Sequence, residues 1–388
     1  KDPVKYFYSD YVGGTLQDYV STCLSLKTSE TLVNPFRDFN ILTYCGYIDT
    51  MDSSAVSLDK CFGGCIKLNY IPDYFVQVPI TSMKKTFYDC VSLTKLPMLD
   101  TSSCTDFSLC CAWCGMYEIP NWDFSNAENM NEFARNAENL KHIYIDIPNA
   151  TTADHMFAVC DNLTDASINI GRANSLRSLF YSSENLNHVS LTLYNNDDKP
   201  YIDLDSAFER CFNLENLYLW GFDENGYVSD LTSAWYDCHK LTAIPDINVS
   251  PDNLNPTNIC GAFNYTSLVK FPKLNGYVKF NISYYPEKIT CSTVQEIPKY
   301  NVCSVAYSGG LFFETPNLTT LGGFAGIDKS LDFKECPLLT RESVLNVFNN
   351  LAQSNATINL HKNTYTKLSE DDIAIAVNRG WAVRKVTN

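Results

Sequence analysis

Apolar and polar positions along the chain keep returning to one phrase, aromatic-x-x-Cys-x-x-Leu-x-x-Ile-Pro, complete in Trp235…Cys238…Leu241…Ile244-Pro245 and in Phe62…Cys65…Leu68…Ile71-Pro72. Phe87…Cys90…Leu93…Leu96-Pro97 varies one position, and Phe157…Cys160…Leu163…Ala166 and Phe208…Cys211…Leu214…Leu217 drop the proline. Each copy reads as a helical turn carrying the aromatic, a corner of small residues and a short strand. In the outer copies Pro72, Pro97, Pro120, Pro245, Pro272 and Pro298 remove a ladder donor and predict very short strands. In the central copies Ile143-Tyr-Ile145, Ala166-Ser-Ile168, Val189-Ser-Leu191 and Leu217-Tyr-Leu219 alternate with period two, the pattern of a half-buried strand.

Placed on its cysteine, the register runs Cys65, Cys90, Cys114, Ala137, Cys160, Ser183, Cys211, Cys238, Tyr265, Cys291, Thr315, Cys336. The steps cover 336 − 65 = 271 residues, about 25 per copy, inside the window of roughly 20–29 residues expected of leucine-rich repeats. The motif resembles the BspA-like leucine-rich repeat family, in which an Ala-Phe-x-x-Cys turn precedes a Leu-x-x-Ile-x-Ile strand, and the resemblance runs from about Leu58 to Leu339. It implies an α/β repeat solenoid of about twelve copies, with short parallel strands on a concave face and no catalytic residues. It also implies a binding or adhesive role, as in surface proteins of host-associated bacteria and proteins of their phages.

Before the repeats, residues 1–50 are rich in Tyr and Phe and read as an N-terminal cap or a docking segment. Residues 51–339 are the solenoid, and 340–388 an α-β-α-β module closing its edge. In that module Thr340 caps a helix with Val344, Leu345, Phe348 and Leu351 on its apolar face, and a strand Ala356–Leu360 follows. Ser369 with Asp372 opens a second helix through Ile373 and Val377, Gly380 stops it, and a strand starts at Trp381. The Leu-x-x-Asp-Asp-Ile-Ala…Gly-Trp ending resembles terminal modules of repeat proteins from gut-bacterial phages and from those bacteria.

On the proline-free strands the polar-phase residues are His142, Tyr144, Asp146; Asp165, Ser167, Asn169; His188, Ser190, Thr192; and Asn216, Tyr218, Trp220. Rigid rings among short hydrogen-bonding groups suit a protein or carbohydrate ligand; an ordinary solvated sheet face has the same pattern. The candidate binding residues are His142, Tyr144, Asp146, Asp165, Asn169, His188, Asn216, Tyr218 and Trp220.

Composition narrows the partners. A net charge of −15 without a basic stripe argues against nucleic acid, and no apolar run approaches the roughly 20 residues of a membrane span. No signal peptide is visible in the sequence as it begins. Of 16 cysteines, Cys65, Cys90, Cys114, Cys160, Cys211, Cys238, Cys291 and Cys336 share one repeat position with Ala137, Ser183 and Thr315, so they read as small buried packing residues rather than a disulfide framework.

Cys104, Cys110, Cys111 and Cys114 match no zinc-knuckle spacing. The acidic insertions at 194–200 and 223–226 read as turns rather than calcium loops. No nucleophile motif, phosphate-cradling loop or His-x-x-x-His occurs, so neither an enzyme nor a cofactor is expected. The seven Asn-x-Ser/Thr sequons read as accidents of an Asn- and Thr-rich chain.

The expectation is a nonenzymatic binding protein. Its leading setting is a phage virion appendage, meeting a host-surface protein or glycan on one side and other virion proteins on the other. A bacterial surface adhesin and a purely structural decoration of an assembly are the alternatives.

Overall fold

The computed structural model describes residues 37–38, 45, 55–193, 201–224, 226–281 and 287–387. Apart from Arg37, Asp38 and Cys45, the expected N-terminal cap lies outside them, as does the acidic insertion at 194–200. The chain forms two compact units, residues 1–186 and 187–388. Each is a leucine-rich repeat solenoid of parallel strands and stacked turns.

In the first unit the repeat leucine forms a continuous buried column of Leu68, Leu93, Met116, Leu140, Leu163 and Leu186. Beside it lie the aromatic rings. Phe62 stacks on Phe87 at 5.9 Å and 4°, and Phe157 on Phe180 at 6.0 Å and 15°. The third and fourth copies place only Cys111 and Ala134 at this point, and rings from elsewhere fill the space. Phe107 meets Phe124 at 4.9 Å, Phe124 meets Phe133 at 5.7 Å, and Trp122 packs on Phe87 at 6.3 Å while its indole N–H donates to Pro97 O.

The segment expected to be a helical turn is not a helix. The N–H groups of Leu58, Lys60, Phe62 and Gly64 donate to carbonyls of Ser82, Lys84, Thr86 and Tyr88 in the next copy, while those of Cys61, Gly63 and Cys65 donate back to Leu58, Lys60 and Phe62. Two tight turns in series result, and each needs a left-handed residue. Lys85 and Asp89 take φ of 56° and 57°, Leu109 and Trp113 56° and 57°, and His155 and Val159 54° and 58°. Such φ values disfavour any residue with a Cβ, so the neighbouring copies must hold the backbone there.

The second unit repeats these columns with Leu214, Leu241, Leu268, Val294, Leu318 and Leu339 buried. Phe208, Trp235 and Phe263 stack at 6.2 Å and 5.8 Å within 6° of parallel. One register assignment is corrected here. Thr266, not Tyr265, takes the cysteine position: it is buried, and its Oγ1 donates to Phe263 O, whereas Tyr265 is the exposed left-handed residue before it at φ 58°. From Glu287 onward the double turn gives way to straight strands, Glu287–Thr290, Leu311–Glu314 and Leu331–Phe333. Their β-branched and aromatic residues, such as Ile289, Phe312 and Phe313, favour the pleat. With Thr357–His361 and Ala382–Val386 they make a five-stranded parallel sheet.

The helices among the described residues all follow Thr340. Thr340 Oγ1 accepts from Ser343 N–H to start Arg341–Asn350, and Ser369 and Asp372 form a reciprocal capping box on Glu370–Val377. A one-turn helix, Lys362–Tyr365, lies between them in addition to those expected. Two side-chain expectations are corrected. Val347 rather than Leu345 completes the buried face of the first helix, and Val377 is exposed because its helix buries Asp372 and Ala376 instead.

Candidate binding face

In the first unit the strands His142–Ile147 and Asp165–Ile170 pair in parallel, with His142 opposite Asp165, Tyr144 opposite Ser167 and Asp146 opposite Asn169. Ile143, Ile145, Ile147, Ala166, Ile168 and Ile170 point into the core, so the alternate side chains point out. Tyr144 is 85% exposed. His142 Nδ1 lies 3.0 Å from Asp165 Oδ2, which also accepts from Thr164 Oγ1 at 2.6 Å. This polar cluster sits beside an exposed ring.

In the second unit His188–Leu193 pairs with Asn216–Trp220, setting His188 against Asn216, Ser190 against Tyr218 and Thr192 against Trp220. Val189, Leu191, Leu217 and Leu219 anchor this pair from below. Above it the His188 and Tyr218 rings meet at 5.3 Å, and Tyr218 stacks on Trp220 at 6.0 Å and 5°. Thus His142 is joined to Asp165, and His188, Asn216, Tyr218 and Trp220 form a row of rings with an amide at its edge. All nine candidate residues lie on outward positions of these strands.

Two outward clusters escaped the sequence reading. Tyr201 and Tyr227 meet at 5.7 Å on the neighbouring strands Tyr201–Asp203 and Tyr227–Asp230 of a six-stranded sheet. The period-two runs Tyr-Ile-Asp and Tyr-Val-Ser were the available signal. On the double turns of the first unit, Tyr88 meets Trp113 at 5.3 Å and the Arg135 guanidinium lies 5.5 Å from the Trp113 ring. No local pattern marks those positions, because left-handed residues aim them.

No group of three or more His, Cys, Asp or Glu side chains converges as metal ligands among the described residues. Of the four clustered cysteines, the Cys114 thiol donates to Leu93 O at 3.5 Å and Cys104 to Asp106 O at 3.7 Å, while Cys110 and Cys111 contact each other. Burial pushes the Cys114 thiol up to about 12 and Cys111 well above its ordinary value, against the thiolate that zinc requires. No helix among the described residues is long and apolar enough to cross a membrane.

The model of the family described as "Mycoplasma protein of unknown function, DUF285", a BspA-like repeat family, matches residues 56–169, 81–194 and 107–220 in overlapping windows. The repeats within residues 56–220 match this BspA-like leucine-rich repeat family. The matched stretch includes all four proline-free strands that carry the candidate residues. Among solved structures, a leucine-rich repeat protein from Bacteroides ovatus ATCC 8483 aligns over 88% of this chain and 84% of its own, at 14% identity and a TM-score of 0.36. No curated protein matches the chain.

Proposed function

We propose that this BspA-like chain is a nonenzymatic binding protein that reads the surface of a bacterial host from a phage virion, as a tail or fibre-type appendage. The observation behind the binding role is the exposure of large rings on rigid strands: Tyr144, Tyr218 and Trp220 stand in solvent while the residues between them are packed beneath. Rings held this way lose little conformational entropy on binding, which makes them effective anchors. The partners would be a host-surface protein or glycan and, at the other contacts, virion proteins. The virion setting rests on the resemblance of the C-terminal run to phage-borne repeat proteins.

The test is attachment of the labelled chain to gut-bacterial cells, with immunolabelling of phage particles from the same source. Saturable attachment that falls with Tyr144→Ala or Trp220→Ala, together with labelled particles, supports the proposal. Unlabelled particles would move the chain to a bacterial cell surface, the second reading; the family's description as a Mycoplasma protein fits a bacterial rather than a phage origin. Attachment that tolerates both substitutions would leave a structural decoration.

A further inference from the structure

We propose that the row His188, Tyr218 and Trp220 binds a neutral glycan, a chain of uncharged hexose or N-acetylhexosamine rings. This rests on the binding role proposed above and names the ligand class of one face. Three features of the row lead there.

The first is the rings. Trp122, Trp235 and Trp381 are buried in the core, yet Trp220 is 58% exposed and parallel to Tyr218 within 5°. His188 extends the row at 5.3 Å from Tyr218. Together they offer aromatic faces and edges over more than the length of a single sugar ring, and the C–H face of a pyranose packs on such surfaces as apolar groups do on indole.

The second is the line of hydroxyls alongside. Ser190 is registered against Tyr218 and Thr192 against Trp220, with Asn216 against His188. Neighbouring parallel strands lie about 4.8 Å apart, so each ring has a short hydrogen-bonding group one strand away. Sugars need this combination, because each ring presents apolar C–H groups and hydroxyls together. A wholly apolar partner would leave those hydroxyls without partners, at a cost in desolvation.

The third is charge. With histidine neutral, none of His188, Ser190, Thr192, Asn216, Tyr218 and Trp220 carries a formal charge, in a chain of net charge −15. A polyanion would find no Lys or Arg on the row to hold its charges, and a basic peptide would find no carboxylate. The row complements an uncharged ligand.

The experiment titrates the full chain with dextran, mannan, galactan and chitin oligosaccharides, and with heparin and polygalacturonate as anionic counterparts. Binding is read by tryptophan fluorescence and calorimetry. At least one neutral glycan should bind saturably, hold its affinity within about twofold in roughly 0.5 M salt, and lose about tenfold or more in Trp220→Ala. Trp220→Phe should recover part of that loss, and Tyr117→Ala, an exposed ring in the other unit, should change nothing. The proposal is overturned if no neutral glycan binds, if only the polyanions bind, or if Trp220→Ala binds as the parent does. Cell attachment that depends on Trp220 without glycan binding would reject the ligand class and keep the binding role; loss of both would reject both.

Discussion

The Cys90 thiol donates to the carbonyl oxygen of Phe62, 3.1 Å away in the preceding copy. The same bond recurs from Cys160 to Ala134 O at 3.2 Å, from the Ser183 hydroxyl to Phe157 O at 2.9 Å, and from Cys238 to Phe208 O at 3.1 Å. The carbonyls of Phe62, Ala134 and Phe208 also accept the N–H three residues on. The repeat position therefore takes a small side chain, and cysteine and serine add a donor that reaches the preceding copy.

The first prediction tests that requirement. Cys160→Ser keeps both size and donor and should change stability by less than about 1 kcal/mol, whereas Cys160→Leu forces extra atoms into a closed turn and should cost about 1–3 kcal/mol. Urea unfolding of both variants measures it. A leucine as harmless as serine would show that the turn has room to spare.

Thiol chemistry gives the second. Of the described cysteines, Cys303 is exposed and the rest are buried. Burial pushes Cys45 and Cys160 up to about 12 and Cys336 to about 11, so in the folded chain they present neither access nor thiolate. Alkylation under native conditions should label Cys303 and leave Cys90, Cys160, Cys211 and Cys238 intact, and reductant should barely move the melting temperature. Rapid labelling of the ladder cysteines, or a fall of many degrees on reduction, would refute it, since a native disulfide contributes about 2–4 kcal/mol.

The repeat register and the outward phase of Tyr144, Tyr218 and Trp220 were legible because both are periodic: one spacing of about 25 residues and one alternation of two. The double turn was not. Nothing local marks Leu109, Trp113 or Val159 as left-handed; the carbonyls of the adjacent copy impose it. Tyr265 was placed one residue off because its copy runs only two residues from Thr266 to Leu268, where Cys238 to Leu241 runs three. The Tyr218–Trp220 stack depends on rotamers, which alternation does not encode.

A third prediction concerns the asparagines. Asn162 Nδ2 donates to Glu138 O at 2.7 Å and Thr164 Oγ1 to Lys141 O at 3.2 Å, so Asn-x-Thr clips one copy to the last. Asn149 with Thr151, and Asn317 with Thr319, do the same, which explains these sequons as structural devices. Asn162→Ala should cost about 0.5–1.5 kcal/mol by urea unfolding. In a glycosylating host, the folded chain should remain unmodified at Asn149, Asn162 and Asn317 by mass spectrometry, because the nitrogen to be modified is already engaged. Full occupancy in a folded product would contradict the clip.

The fourth follows from backbone strain. Val159 is β-branched and sits at φ 58°. A left-handed conformation costs an L-residue roughly 1–2 kcal/mol, and glycine forfeits about 0.5–1 kcal/mol through its looser unfolded state. Val159→Gly should therefore stabilise the chain by about 0.5–1 kcal/mol. A clear destabilisation would mean that the packing of this half-buried side chain outweighs the strain it carries.

The last prediction is a pH dependence located at one ion pair. Arg341, the first residue of its helix, reaches Asp372 with two bonds, Nε to Oδ2 at 2.8 Å and Nη2 to Oδ1 at 2.6 Å. Asp372 Oδ2 also accepts the Ser369 N–H at 2.9 Å. The guanidinium first, and that N–H second, hold the Asp372 carboxyl down to about 2 from its ordinary 3.8. The folded state therefore favours the ionised form. The resulting stabilisation is complete above the ordinary aspartate value and disappears as pH falls through the depressed one. Asp372→Asn lacks the charge at every pH. The parent's advantage over this variant in urea unfolding should hold steady from neutral pH to about pH 4 and shrink from there towards pH 2. Other carboxylates titrate in both proteins and cancel in the difference. A gap unchanged down to pH 2 would show that the two helices are held by packing alone, with the Arg341 fork contributing nothing to stability.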